Sequence, residues 1–230
     1  MSISVIHVLC EGPTEERFVS KVLKPYLLPY NIVARPQIIY TSRKKDAKGG
    51  VVSYEKVKND LNTLMKQFSD NSYEKHFFTT MIDLYALPND FPGYNPKLNE
   101  PYFWVENIEK AFEQNIPSDR FIPYIQLHEF ETLVLCNVKK LIALYPRAGK
   151  QLKAMDDNWR DEFNELVEYV NTSVNKAPSK RIISALNGKY KYNKVKSGTD
   201  VTADIGIDEL CSTCPHFSIW IDQLKGVNRR

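Results

Sequence analysis

No run of apolar residues in this chain approaches the length of a membrane span. The N-terminus lacks the pattern of a signal peptide, so a cytoplasmic protein with no membrane attachment is expected. Cysteine is scarce: Cys10, Cys136, Cys211 and Cys214 are the only four in 230 residues, which excludes a disulfide framework as the basis of the fold. The chain has neither a Walker lysine loop nor a Gly-x-Gly-x-x-Gly fingerprint, so nucleotide-driven work would need a partner. Internal repeats, low-complexity stretches and an evident interdomain linker are also missing. What is there is ordinary for a globular chain, with 43% hydrophobic and 26% charged residues. The length suits one large domain or one domain with an elaboration.

The net charge of +3 is modest, but its distribution is uneven. Between Lys176 and Lys196 there are seven basic residues (Lys176, Lys180, Arg181, Lys189, Lys191, Lys194 and Lys196) and no acid. Arg43, Lys44, Lys45 and Lys48 form a second basic group, while acids gather between Asp156 and Glu168. Such asymmetry can guide a phosphate backbone to one face, and it equally describes solvated loops.

Hydrophobic periodicity predicts alternating elements. Strands are expected at 3–10, 32–40, 76–83 and 121–127, with Pro36 marking the second as an edge or a bulge. Helices are expected at 14–28, 54–68 and 103–112. A basic loop at 41–50 and a proline-rich loop after Asp83 separate them. Beyond 135 the pattern is mainly helical: Trp159, Phe163, Leu166 or Val167, and Val170 keep helical spacing, and a last helix is expected from Ile207 to Leu224. The β-α-β-α-β-α-β order predicts an α/β fold with a mostly parallel four-stranded sheet flanked by helices. The expected division is an α/β core at 1–135 and a mainly helical extension at 136–230 packed on it.

Three of these strands end in acids. Glu11 closes Ile3–Cys10 and is followed by Gly12, Pro13 and Thr14, a tight turn into a helix. Asp83 closes the third strand, and His128, Glu129, Phe130 and Glu131 follow the fourth. Ligands bind at the carboxyl edge of open parallel sheets. Adjacent strands lie about 4.8 Å apart, so carboxylates leaving one edge can share a cation. Oxygen-only donors favour Mg²⁺ or Mn²⁺ over Zn²⁺, and phosphodiester hydrolysis is the chemistry best matched. Glu15 is either a further ligand or a carboxylate serving the positive end of the helix dipole. Glu131 is either a ligand or a helix-start acid, and His128 either assists proton transfer or is structural. Lys180 and Arg181, with Lys189 and Lys191 nearby, are candidates for phosphate contact, against the plainer reading of surface charge. Tyr190 and Tyr192 either stack on bases or place two rings on one side of an extended piece. Cys211, Cys214 and His216 offer an incomplete zinc set and read as packing residues instead.

The segments Glu11-Gly12-Pro13-Thr14-Glu15 and Met81-Ile82-Asp83-Leu84-Tyr85-Ala86-Leu87-Pro88 resemble the two acidic motifs of Toprim domains. With Ile125–Glu131, Ala177–Arg181 and Cys214–Phe217, nearly the whole chain resembles a Toprim-like bacterial family, domain of unknown function 4276. The resemblance implies a relation to the Toprim domains of the overcoming-lysogenization-defect nucleases. The resemblance implies that Glu11 is the acid/base glutamate, Asp83 the first metal-binding aspartate, and Glu15 the glutamate one helical turn on. It implies a nuclease acting on DNA more than RNA, with Mg²⁺ or Mn²⁺, as part of an anti-phage defence system. It also implies an ATPase partner of the SMC/ABC type. A homodimer is compatible with a chain of this class. Where Toprim domains carry a second aspartate this chain has Tyr85, a poor ligand for Mg²⁺, so Glu129 or Glu131 supplies that carboxylate, or one metal binds weakly, or the site has lost catalysis and only binds. The alternative is a non-catalytic partner module for nucleic acid or an ATPase.

Overall fold

A computed structural model describes residues 2–39, 51, 53–95, 97–98, 100–170, 176–188 and 190–229. The basic loop expected at 41–50 and the candidate Lys189 lie outside the described residues. Strand β1 (Ile3–Cys10) is the centre of the sheet and is buried from Ser4 onward. Its alternation supplies both faces: Ile6, Val8 and Cys10 enter one hydrophobic cluster, while Leu9 enters the other.

The strand order is β2-β1-β3-β4, with β5 also on β3, and every pairing is parallel. Strand β2 (Ile32–Ile38) lies at the edge, where Pro36 costs the ladder least. Strand β3 (Glu74–Asp83) lies on the other side of β1.

The single fourth strand expected over 121–127 is divided into β4 (Phe121–Ile122) and β5 (Ile125–Gln126), both against β3. Pro123 lacks an N–H, and at Tyr124 the side chain of Thr80 replaces the ladder. Thr80 Oγ1 donates to the Tyr124 carbonyl at 2.8 Å and accepts from its N–H at 3.1 Å.

The first crossover starts with helix α1 (Pro13–Phe18), passes through a π-turn (Val19–Leu23), and ends with α2 (Lys24–Leu27). Helices α3 (Tyr54–Gln67) and α4 (Pro101–Asn115) cover the opposite face, burying Val57, Leu61, Ile108 and Phe112. After the last strands come α5 (Glu131–Leu135), α6 (Val138–Leu144), α7 (Gly149–Phe163) and α8 (Pro178–Leu186). These are followed by α9 (Thr199–Ile205), α10 (Ile207–Thr213) and α11 (Pro215–Lys225). Trp159, Leu210, Phe217 and Trp220 from these helices share one cluster with Ile6, Val8 and Phe18. Trp220 stacks on Tyr124 at 4.2 Å and donates its indole N–H to Thr79 on β3.

Two expected helices are interrupted. The acidic helix stops at Phe163, because Asn164 turns left-handed (φ 49°), and Val167–Tyr169 forms a separate 3₁₀ turn. The helix expected over 207–224 breaks at Cys214, since the residue before a proline is disfavoured in helical conformation. Among the described residues no helix is long and apolar enough to cross a membrane.

Candidate functional site

The backbone draws three strand ends together. Glu11 extends β1 by one further bond, its N–H donating to the Met81 carbonyl at 3.0 Å. Its carboxylate Oε2 accepts the Asp83 N–H at 2.9 Å. Past Asp83 the chain is zipped to the segment after β5: Leu84 N–H donates to Gln126, and Tyr85 N–H donates to His128. His128 then takes a positive φ of 62°, an uncommon conformation for a residue with a Cβ. That turn leads directly into Glu129 and the start of α5 at Glu131.

His128 is held from outside the turn by a 2.9 Å contact between Nε2 and the Glu168 carbonyl. A carbonyl only accepts, so Nε2 carries the proton and Nδ1 is the acceptor nitrogen. Burial lowers the His128 pKa to about 4, so the ring is neutral near pH 7. The Glu168 carboxylate accepts from Tyr102 Oη at 2.7 Å and from the N–H groups of His216 and Phe217, which caps α11.

Five acids meet at this edge: Glu11, Glu15, Asp83, Glu129 and Glu131. Burial raises the Glu11 pKa most, with Glu129 adding to the rise and the Asp83 N–H and Lys194 opposing it. Burial, Glu11 and Glu131 together push Glu15 up to about 8, and its Oε2 accepts the Gly12 N–H at 2.9 Å. Asp83 is raised well above the ordinary carboxylate range by burial, then by Glu11, Glu15, Glu131 and Glu129 in turn. Glu131, 1% exposed, is raised by burial and by Glu129 against the pull of Lys194. Glu129 is held by Ser179, whose N–H reaches Oε2 at 2.9 Å and whose hydroxyl donates to Oε1 at 3.0 Å.

Two oxygens of the group, Asp83 Oδ1 and Glu131 Oε1, are sealed from solvent without a hydrogen-bond partner. A buried carboxylate oxygen with no donor is costly and suits a cation. Among the described residues no three His, Cys, Asp or Glu side chains stand close enough to hold an ion as they are placed. Four of the acids turn instead to protein donors: Glu11 to Asp83, Glu15 to Gly12, Glu129 to Ser179 and Glu131 to Lys194. The donor set is all oxygen and fits Mg²⁺ or Mn²⁺ in kind.

In the sequence Lys194 stands out only as one of seven basic residues between Lys176 and Lys196. Its Nζ lies 3.2 Å from Glu131 Oε2 and 3.6 Å from Glu129 Oε1. Burial works against its charge, but Glu131, Glu129 and Asp83 outweigh it and hold its pKa above the ordinary lysine value. Ser179 was visible within a motif yet had no role assigned. Neither has a local signal, because each meets its acid from more than 45 residues away in sequence.

The basic candidates are less concentrated. Lys180 and Lys191 are exposed. Arg181 is engaged, donating to Glu162 at 2.9 Å and to the Lys176 carbonyl while lying over the Phe163 ring. Tyr192 is buried, and its hydroxyl stands where a Cβ on Gly198 would come within 3.1 Å, so that glycine leaves room for the ring. Cys214 meets Cys136 with sulfurs 3.2 Å apart, while His216 pairs with Glu109, so these residues do not converge on a metal.

No curated protein and no solved structure matches the chain. A family profile described as domain of unknown function (DUF4276) matches residues 10–225. With that span of its length covered, the chain belongs to the DUF4276 family.

Proposed function

We propose that the protein is a metal-dependent nuclease that hydrolyses phosphodiester bonds, its site being the acidic edge formed by Glu11, Asp83 and the neighbouring glutamates. The observation that carries this reading is the meeting of five acids at one sheet edge, with Asp83 Oδ1 and Glu131 Oε1 left unpartnered. Charges buried against one another are retained where a cation joins them. Glu11, Asp83 and the adjoining Glu15 and Glu131 would hold Mg²⁺ or Mn²⁺. The ion supplies charge neutralisation and polarisation of a phosphate oxygen.

The chain's own groups supply the rest. Glu11 is oriented by the Asp83 N–H and is the candidate to take a proton from the attacking water. Without an ion Glu15 titrates at about 8, so an ion binding there would displace its proton. Lys194 places a fixed positive charge beside Glu129 and Glu131. The exposed Lys180 and Lys191 serve a nucleic-acid backbone, DNA before RNA. The Toprim resemblance of the acidic motifs supports the same reading and adds a defence role with a separate SMC/ABC-type ATPase.

A second reading is a non-catalytic module binding nucleic acid or an ATPase, and the lysine already among the acids favours it. One experiment separates the two. Purified protein, with its partner where one is encoded nearby, is incubated with supercoiled plasmid or RNA in Mg²⁺ or Mn²⁺ and compared with Asp83→Asn. Metal-dependent cleavage lost in the variant supports the nuclease. Equal behaviour of the two proteins supports the binding module.

A further inference from the structure

The five acids divide into two groups by what already satisfies them. Glu129 and Glu131 form the first. Glu129 takes two hydrogen bonds from Ser179, and both acids face the Lys194 ammonium at 3.6 and 3.2 Å. Glu11, Glu15 and Asp83 form the second. Among the described residues no ion pair reaches these three, and the donors that hold Glu11 and Glu15 are backbone N–H groups, those of Asp83 and Val51 on Glu11 and those of Gly12 and Glu15 itself on Glu15. Asp83 Oδ1 has no donor at all.

Lys194 is not a side chain that drifted into the site. Its backbone opens a π-turn (Lys194–Gly198) whose start is capped by Asn193, the side chain accepting the Lys196 N–H at 2.9 Å. Ser197 in the same turn is buried and shares a 2.7 Å hydrogen bond with Tyr145. Two residues before Lys194, the buried Tyr192 anchors the segment in the core. A divalent ion between Glu129 and Glu131 would meet an ammonium already 3.6 and 3.2 Å from their oxygens, and the two cations would compete for the same carboxylates.

Resting on the metal-dependent reading above, we propose that Lys194 occupies the place of a second cation, so that the site takes one divalent ion, at Glu11 and Asp83. Glu131 is shared by the two groups: its Oε2 accepts from Lys194, its charge acts on Glu15 and Asp83, and its Oε1, near the Tyr192 hydroxyl, is not held by Lys194. In that case the Lys194 ammonium would offer a bound phosphate a positive charge from the side of Glu129 and Glu131. Lysine is a compact point charge that fills such a position without demanding a coordination geometry.

The test counts ions rather than turnover. Mn²⁺ is titrated into the full chain by calorimetry, with free Mn²⁺ followed by electron paramagnetic resonance. One ion per chain is expected for the wild type, one for Lys194→Arg, which keeps the charge, and two for Lys194→Met. Circular dichroism verifies that each variant is folded, and the wild-type count stands if Lys194→Met is not. Two ions on the wild type, or one on both the wild type and a folded Lys194→Met, overturns the proposal. Two ions with cleavage intact would overturn it while leaving the nuclease standing. No Mn²⁺ bound by any form overturns both.

Discussion

The carboxylate of Glu11 accepts the backbone N–H of Asp83 at 2.9 Å, so the acid ending the central strand is oriented by the residue ending its neighbour. A glutamine at position 11 keeps an acceptor for that N–H and removes the charge. Glu11→Gln is therefore expected to fold with a stability within about 1 kcal/mol of the wild type, while metal-dependent cleavage falls by about 100-fold or more. Thermal melting and plasmid nicking check the two halves. A variant that melts normally and still nicks would remove Glu11 from the chemistry.

Stability without divalent ions should fall as the pH rises. Glu15 titrates at about 8 in the fold against an ordinary value of 4.5, and Glu11, Asp83 and Glu131 are raised as well. Between those two pH values the native state binds more protons than the unfolded chain, so raising the pH favours unfolding. Melting in chelator from about pH 7 to pH 8.5, above the range in which His7 and His128 change stability, should show a declining midpoint, and Glu15→Gln should flatten the slope. A midpoint that climbs over this interval would contradict the burial of these carboxylates.

Acid should act in the opposite sense through two histidines. His7 is stacked between Phe68 and Phe78, and burial with the nearby His76 lowers its pKa to about 4. His128 is lowered to about the same value by burial. Unfolded histidine gains its proton near 6.5, so stability is complete above that pH and is lost as the pH falls toward 4. His7→Phe should reduce the loss on acidification measured by urea unfolding at pH 7 and pH 4.5. An unchanged pH dependence would mean that His7 is protonated within the fold.

Trp220 joins the C-terminal helices to the sheet through Tyr124 and Thr79. Truncating a fully buried tryptophan costs about 3–5 kcal/mol. Trp220→Ala should therefore lower the denaturant midpoint of the whole chain, with fluorescence and circular dichroism moving together. If only the helical signal shifted, the two parts would be independent folding units.

Strand ends and the acids that close them were legible in the amino-acid order, because burial on both faces imposes continuous apolar runs and a terminating charge is conspicuous. Ile3–Cys10 followed by Glu11 is the clearest case, and the edge position of β2 was marked by Pro36 alone. The division of the last strand at Pro123 was harder to see, because it depends on Thr80 of another strand replacing the ladder bonds. Helix interruptions at Asn164 and Cys214 were hidden beneath apolar spacing that continues across them, since periodicity reports a buried face and not an unbroken axis.

Local spacing and chemistry thus specified an α/β chain with carboxylates at the carboxyl edge of parallel strands. Which of those carboxylates are already satisfied was decided in three dimensions. Ser179 reaches Glu129 across 50 residues and Lys194 reaches Glu131 across 63, contacts with no periodicity to announce them. Charge neutralisation depends on distance through space, and only the packed chain sets that distance.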